Sequence, residues 1–287
     1  MTRTRPPATT VVSRSTASEV LDEAVELMAG RRIVALTGAG MSTDSGIPDY
    51  RGPGASPRRP MTYGTFASGP AAQQRYWARA YAGWAFMASA RPNAGHAALA
   101  RLEALGVVRG LITQNVDGLH TRAGHRRLVD LHGRLGEVVC MSCRQVTTRT
   151  RLQSRLAAAN PHLPASPVEM APDGDAVLSD VESFRLVGCE RCNGPLKPHV
   201  VFFGENVPRE RVDRCAAMVE DADALLVLGS SLSVLSGLRF VRQAVRAEQP
   251  VVIVNRGWTR GDDLSTLKLD AGCAQTLGAL LARWPGR

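Results

Sequence analysis

Long apolar runs are missing from this 287-residue chain. None approaches the roughly 20 residues that a bilayer-spanning helix needs, which excludes a helical membrane protein. The amino terminus also lacks an apolar secretory core, so a soluble, unsecreted protein in a reducing compartment is expected. Lysine is almost absent. Only Lys197 and Lys268 occur, and arginine supplies nearly all the cations behind a net charge of +9. No basic stripe interleaved with aromatics occurs either, so the charge reads as a solvated surface and no specific nucleic-acid partner is expected. Residues 1–17 contain no acid and are rich in Thr, Ser, Arg and Pro, the composition of a disordered tail. A transit peptide is the sharper alternative. The tail implies a cytoplasmic, bacterial-like protein; the transit peptide implies a mitochondrial one.

What is present is enough apolar material, 44% of the residues, to fill one large domain with a satellite. Ile33-Val-Ala-Leu-Thr37 is apolar without alternation, as a parallel strand covered on both faces is. Gly110-Leu-Ile-Thr-Gln-Asn115, Ala224-Leu-Leu-Val-Leu-Gly-Ser-Ser231 and Pro250-Val-Val-Ile-Val-Asn-Arg256 repeat the pattern, each ending in polar or small residues. Helical periodicity fills the intervals at 17–29, 94–105, 210–222 and 237–247. These elements predict an α/β fold: a doubly wound, Rossmann-like parallel sheet whose polar strand ends line one crevice. That domain takes residues 18–46, 93–135 and 200–287. Two insertions interrupt it. Residues 47–92 form a cofactor loop and a helical insertion bearing Tyr76, Trp77, Tyr81, Trp84 and Phe86. Residues 136–199 form a zinc-binding insertion with four of the six cysteines.

The first strand runs into Gly38-Ala-Gly-Met-Ser-Thr-Asp-Ser-Gly-Ile-Pro-Asp-Tyr-Arg51. Gly38 and Gly40 allow a tight turn whose N–H groups approach a pyrophosphate with no Cβ in the way. The dehydrogenase fingerprint is not met. Its third glycine falls on Thr43, and no acid follows at the ribose-binding distance, which argues against hydride transfer.

Cys140-Met-Ser-Cys143 and Cys189-Glu-Arg-Cys192 are two C-x2-C knuckles 45 residues apart. Four thiolates saturate a tetrahedral Zn²⁺ and leave no position for water, so one structural zinc is expected; disulfides are the bland alternative. The loop around Ala171-Pro-Asp-Gly-Asp175 between them is turn-rich and reads as exposed. Cys215 lies in a helical pattern and reads as core. His96, His120, His125, His162 and His199 receive the default reading of structural or exposed histidines.

The fourteen residues from Gly38 to Arg51 resemble the NAD-binding signature of the sirtuins, the NAD-dependent protein deacylases, with Tyr50 where the family often has phenylalanine. Thr113-Gln-Asn-Val-Asp-Gly-Leu-His120 and Leu131-His-Gly133 strengthen the resemblance, which covers roughly residues 18–282. It implies that His132 is the general base and that Asn115 orients a ribose or a water. NAD contacts are implied for Gly38, Ala39, Gly40, Ser45, Asp49, Tyr50 and Arg51, and for Gln114, Asn115 and Asp117. Further contacts are implied for Gly229, Ser230 and Ser231, for Asn255, Arg256 and Gly257, and for Cys273 on the adenine side. Val201, Phe202, Phe203 and Gly204, with Ser233-Val-Leu-Ser236 opposite, resemble the edges between which a substrate peptide adds as a strand. For Val201-Phe-Phe the bland reading is a core strand.

The chemistry so implied begins when an acyl-lysine oxygen attacks C1′ of the nicotinamide ribose as nicotinamide leaves, giving an O-alkylamidate. A neutral imidazole then activates a ribose hydroxyl, and the acyl group ends on ADP-ribose. NAD is thus a co-substrate and acylated-lysine proteins are the partners; a monomer is expected. Arg75-Tyr-Trp-Ala-Arg79, Pro92-Asn-Ala-Gly-His96, Ala171-Pro-Asp-Gly-Asp175, Leu196-Lys-Pro-His-Val-Val-Phe-Phe-Gly-Glu205 and Thr259-Arg-Gly-Asp-Asp-Leu look like the class II branch, which includes lipoamidases and ADP-ribosyltransferases. His199 departs from it by replacing an aspartate. A Tyr-x-x-Arg pair that binds succinyl groups in a neighbouring class would fall, counted without gaps, on Ala80 and Gly83, which argues against strong desuccinylation; Tyr76 and Arg79 have the spacing four residues earlier. Outside enzymes, the alternative is a zinc-ribbon module that binds nucleic acid through the basic surface.

Overall fold

Every residue of Ile33–Thr37 (β1) is buried, and alternate side chains of this run enter two separate cores. A strand covered by helices on both faces requires this. The computed structural model describes residues 17–50, 60–163 and 182–284. In chain order, β1 is preceded by α1 (Ala17–Met28) and followed by α2 (Tyr63–Ala67), α3 (Pro70–Ser89) and α4 (Ala94–Ala104). Next come β2 (Val108–Thr113), α5 (Leu119–Arg122), β3 (Leu128–Asp130), β4 (Gly133–Cys140), β5 (Val146–Thr148), α6 (Arg149–Ala159) and β6 (Leu196–Val200). The remainder is α7 (Arg209–Glu220), β7 (Ala224–Leu228), α8 (Leu235–Arg246), β8 (Val251–Val254), β9 (Leu267–Leu269) and α9 (Cys273–Arg283). The expected tail before Ala17, Arg51 and the loop at 171–175 lie outside the described residues. Among the described residues, no helix is long and apolar enough to cross a membrane.

Six strands form a parallel sheet in the order β3-β2-β1-β7-β8-β9. On one face Ile33, Ala35, Leu111, Leu226 and Val252 pack against Met28, Leu99, Leu102, Leu277 and Leu280 of α1, α4 and α9. On the other, Val34, Leu36, Ile112, Val227 and Ile253 meet Cys215 and Val219 of α7 and Phe240, Val241 and Ala244 of α8. Each fully buried Val, Leu, Ile, Phe or Met among them contributes about 1.5–3 kcal/mol, so these two layers hold the sheet. In α8, Leu238, Phe240, Val241 and Ala244 are buried while Arg239, Arg242 and Arg246 are exposed. That is the stripe of a helix lying on a sheet.

The second unit is a three-stranded antiparallel sheet, β5-β4-β6. It starts at Gly133 and ends at Val200, slightly outside the span 136–199. Phe66, Tyr76, Trp77 and Tyr81 from α2 and α3 share one core with Leu152, Leu156, Phe184 and Phe202. The two insertions, far apart in sequence, therefore pack as one body. Trp77 Nε1 donates to Leu196 O at 2.9 Å, and the Arg149 guanidinium lies over the rings of Trp77 and Trp84.

Three histidines gather behind the end of β1. His96 and His120 have ring centroids 4.6 Å apart, and His120 and His125 5.2 Å. His96 Nδ1 accepts from Asn93 N in a capping box at the start of α4, His120 Nε2 lies 3.0 Å from Thr37 Oγ1, and His125 pairs with Glu103. Burial lowers all three, His96 from 6.5 to about 4. Because the folded values lie below the unfolded ones, the unfolded chain binds more protons as pH falls. This contribution to stability is complete above about pH 6.5 and is lost toward about pH 4. Glutamine also serves at the third position of a capping box, so His96→Gln keeps the cap and removes one titration. Thermal unfolding from pH 7 to pH 4 is expected to show a shallower fall in Tm for His96→Gln than for wild type; parallel curves would count against the assignment.

Candidate active site

The strand order reverses at β1, which has β2 on one side and β7 on the other. Open α/β sheets bind ligands beyond the carboxyl ends of the strands at such a switch point. A cavity of about 1180 Å³ opens there. Its walls include residues 38–40 after β1, 114–117 after β2, 229–231 after β7 and 255–257 after β8, so the four polar strand ends converge. Asp49, Tyr50, His132 and residues 201–204 line it as well. Among the described residues, two of the named cofactor residues do not. The Ser45 hydroxyl is 3.1 Å from Asn93 Nδ2, which ties it to the α4 cap. Cys273 is buried at the start of α9 with Sγ 3.8 Å from Val254 O, and burial pushes its thiol up to about 12.

The glycine turn also has a packing role within the chain. A Cβ on Gly38 would lie 2.8 Å from Gly229 O, and one on Gly229 would lie 2.4 Å from Met41 N. Glycine here lets the loops after β1 and β7 pack backbone to backbone. Gly38 N donates to Leu228 O and Gly40 N to Gly229 O. Among the described residues, Ala39 N–H is the amide these bonds leave over, at the first position of a 3-10 turn, where no internal partner exists.

The loops after β1 and β2 are tied together by side chains. Asn115 Nδ2 donates to Gly38 O at 2.9 Å and to Ser42 Oγ at 3.1 Å, and Ser42 Oγ donates to Asp117 Oδ2 at 2.7 Å. Leu119 N donates to Asp117 Oδ1, so amide and carboxylate are both held in orientation. Burial raises the Asp117 carboxyl above its ordinary value. Gln114 Nε2 reaches Ser230 Oγ at 2.8 Å and so links the loops after β2 and β7.

His132 sits between β3 and β4, its carbonyl accepting from Val201 N at 2.8 Å. Its Nδ1 is 2.9 Å from Gln114 O and its Nε2 is 2.8 Å from Ser236 Oγ. Desolvation lowers the ring below the ordinary imidazole value; the Gln114 carbonyl opposes this and Arg211 adds to it. A neutral imidazole at neutral pH is the result. His199 turns away from this chemistry and bonds Glu137 at 2.8 Å and Arg211 at 3.2 Å.

Phe202 and Phe203 divide between the two readings given to them. Phe202 is core, stacked on Phe66 at 5.1 Å, whereas Phe203 is exposed at the mouth and meets Tyr50 edge to face at 5.9 Å. Buried Lys197 pairs with Glu205 at 2.9 Å, and Glu205 accepts from Phe202 N, which fixes the turn at 201–205. Tyr76 lines the cavity; Arg79, Ala80 and Gly83 are not among the lining residues.

The sulfurs of Cys140, Cys143, Cys189 and Cys192 all lie within 4.8 Å of one another. Cys140 and Cys192 are 3.5 Å apart, Cys143 and Cys189 3.7 Å. A tetrahedron with Zn–S bonds of about 2.3 Å has edges of about 3.8 Å, so the cluster fits the ion. Both knuckles turn alike. Arg144 (φ 62) and Asn193 (φ 55) each follow the second cysteine in the left-handed region, with their N–H groups bonded to Cys140 O and Cys189 O.

Comparison with known proteins agrees with this geometry. The model of the Sir2 family matches residues 38–236. The NAD-dependent protein deacetylase 1 of Mycobacterium avium is 53% identical over 265 residues, 91% of this chain and 94% of that protein. The mitochondrial NAD-dependent protein lipoamidase sirtuin-4 of Bos taurus is 47% identical over 254 residues, 86% of this chain and 81% of that protein. A solved complex of Sir2 with p53 peptide and NAD+ superposes with a TM-score of 0.73 at 33% identity, covering 90% of this chain and 95% of that one. With more than half of its length matched by the family model and relatives this similar along most of both chains, the protein belongs to the Sir2 family.

Proposed function

We propose that this protein is an NAD-dependent protein-lysine deacylase that transfers an acyl group from lysine to ADP-ribose and releases nicotinamide. The observation that carries the reading is the His132 imidazole in the crevice at the switch point, its Nδ1 2.9 Å from Gln114 O. The names of the relatives and the peptide and NAD complexes among the solved structures support it. Bound NAD would supply an electrophilic ribose carbon and a ribose hydroxyl for acyl transfer.

The chain's own residues then have separate tasks. His132 Nε2 accepts the proton of the ribose hydroxyl, Nδ1–H keeping the ring in the required tautomer. Asn115 and Asp117, already oriented by Ser42 and Leu119, hold the ribose and the carboxamide of the nicotinamide. The Ala39 amide and the turn at 229–231 take the phosphates, and residues 255–257 take the adenosine end. Asp49 and Tyr50 cover the nicotinamide end; Arg51 would belong to the same loop. The peptide lies between the turns at 201–204 and 233–236, and its main chain supplies most of the affinity. Cys140, Cys143, Cys189 and Cys192 hold one structural Zn²⁺.

Purified protein incubated with NAD and acetyl, succinyl, glutaryl, lipoyl and long-chain acyl peptides tests the reading and ranks the acyl groups. Nicotinamide release that requires an acylated peptide is expected. The relative named as a lipoamidase makes the lipoyl arm the informative comparison with acetyl. Release independent of every peptide would contradict the proposal.

A further inference from the structure

Gln114 O can only accept, so in the neutral ring His132 Nδ1 carries the hydrogen and Nε2 is a bare acceptor. Ser236 Oγ, 2.8 Å away, therefore donates to Nε2. The nitrogen that must take a proton from the ribose is engaged by a hydroxyl of the chain itself. Ser236 is the second residue of α8, and packing fixes its place. A Cβ on the next residue, Gly237, would lie 2.6 Å from Gln114 Oε1, and Gln114 Nε2 is anchored on Ser230 Oγ. One glutamine thus sets both bonds of the imidazole: its carbonyl holds Nδ1, and its side chain seats the helix start that brings Ser236 to Nε2.

We propose that Ser236 is a positioning residue for the base, whose hydroxyl holds the His132 ring by Nε2 until the ribose hydroxyl of the bound dinucleotide replaces it. This rests on His132 being the base. One O–H···N bond is exchanged for another, and Ser236 keeps its proton throughout. A hydrogen bond donated to the bare nitrogen favours the neutral ring, so Ser236 holds down the proton affinity of His132 only while it is bonded. Charged or titratable groups on the elements around the ring include Asp117 after β2, Asp130 on β3, Arg134 and Glu137 on β4, Lys197 and His199 on β6, Arg211 on α7 and Arg239 on α8. A substitution at Ser236 removes none of these groups.

The test is the pH profile of wild type, Ser236→Ala and Ser236→Thr with NAD and an acylated peptide. A net hydrogen bond is worth about 1 kcal/mol, so in Ser236→Ala the acid limb of kcat/KM for NAD moves up by about 0.5–1 pH unit. Threonine restores it. The acid limb of kcat, where the ribose hydroxyl already faces Nε2, stays in place. Nitrogen NMR of His132 without NAD is expected to show the same upward shift in the alanine variant. A uniform loss of rate with an unmoved limb overturns the proposal, as does a limb that moves equally in both profiles. Should the alanine variant fail to fold, the wild-type spectrum decides: without NAD, Nε2 must be unprotonated and hydrogen-bonded, and a ring lacking a donor overturns the proposal. Wild type without acyl-peptide-dependent nicotinamide release sinks the base assignment, and the NMR result then judges Ser236 on its own.

Discussion

His132→Ala is expected to lower formation of deacylated peptide by about 10²–10⁴-fold, the usual worth of a positioned general base. The fold should persist, because the ring lies at the cavity wall and the two cores that hold the sheet do not include it. NAD affinity by calorimetry and metal content should be close to wild type. Unchanged peptide turnover in this variant removes His132 from the reaction. The pH dependence has a definite sign. Burial lowers the ring below its ordinary value, so the active, neutral form persists through neutrality and is lost as pH falls through that lowered value. Wild-type kcat/KM should therefore decline on the acid side, with its midpoint below that of a free imidazole.

The second large effect is expected on loss of the proposed zinc site. Cys140 and Cys189 are buried in the core shared by the two insertions, and β6 leads from this sheet straight into the turn at 201–205. Structural zinc sites in small domains contribute about 10–16 kcal/mol of apparent binding free energy, far more than the few kcal/mol a sheet of this size holds in reserve. Cys140→Ser or Cys189→Ser should reduce the zinc content from one per chain to none, lower Tm by more than 10 °C on the order-of-magnitude scale of a lost metal, and abolish peptide deacylation. The six-stranded sheet has cores of its own, so far-UV circular dichroism should retain much of its signal. Stoichiometric zinc in a variant lacking two of these thiols would refute the assignment.

The central strands were legible because β1, β7 and β8, and β2 from Gly110 onward, are buried on both faces and so carry apolar runs without alternation. The edge strands β3 and β9 have three residues each, too few to show a period. The cysteine knuckles were legible through spacing, and His132 through its flanking motif. Ser236 was not singled out as a partner of the base, because it is one of four serines between 230 and 236 and only folding brings it to Nε2. The histidine group behind β1 was hidden for the same reason: His96 and His125 are far apart in sequence and are joined through His120 by tertiary packing. The turn at Gly38 and Gly40 is plain in the sequence, but its packing partner is not. The contact with the Gly229 backbone comes from a loop almost two hundred residues away.

A crystal structure of the complex with NAD and an acyl-lysine peptide measures the central claim directly. The dinucleotide is expected to lie across the ends of β1, β2, β7 and β8, with His132 Nε2 within about 3.2 Å of a hydroxyl of the nicotinamide ribose and Ser236 displaced from that nitrogen. A dinucleotide bound elsewhere, or a ribose out of reach of the ring while the peptide is in place, would contradict it.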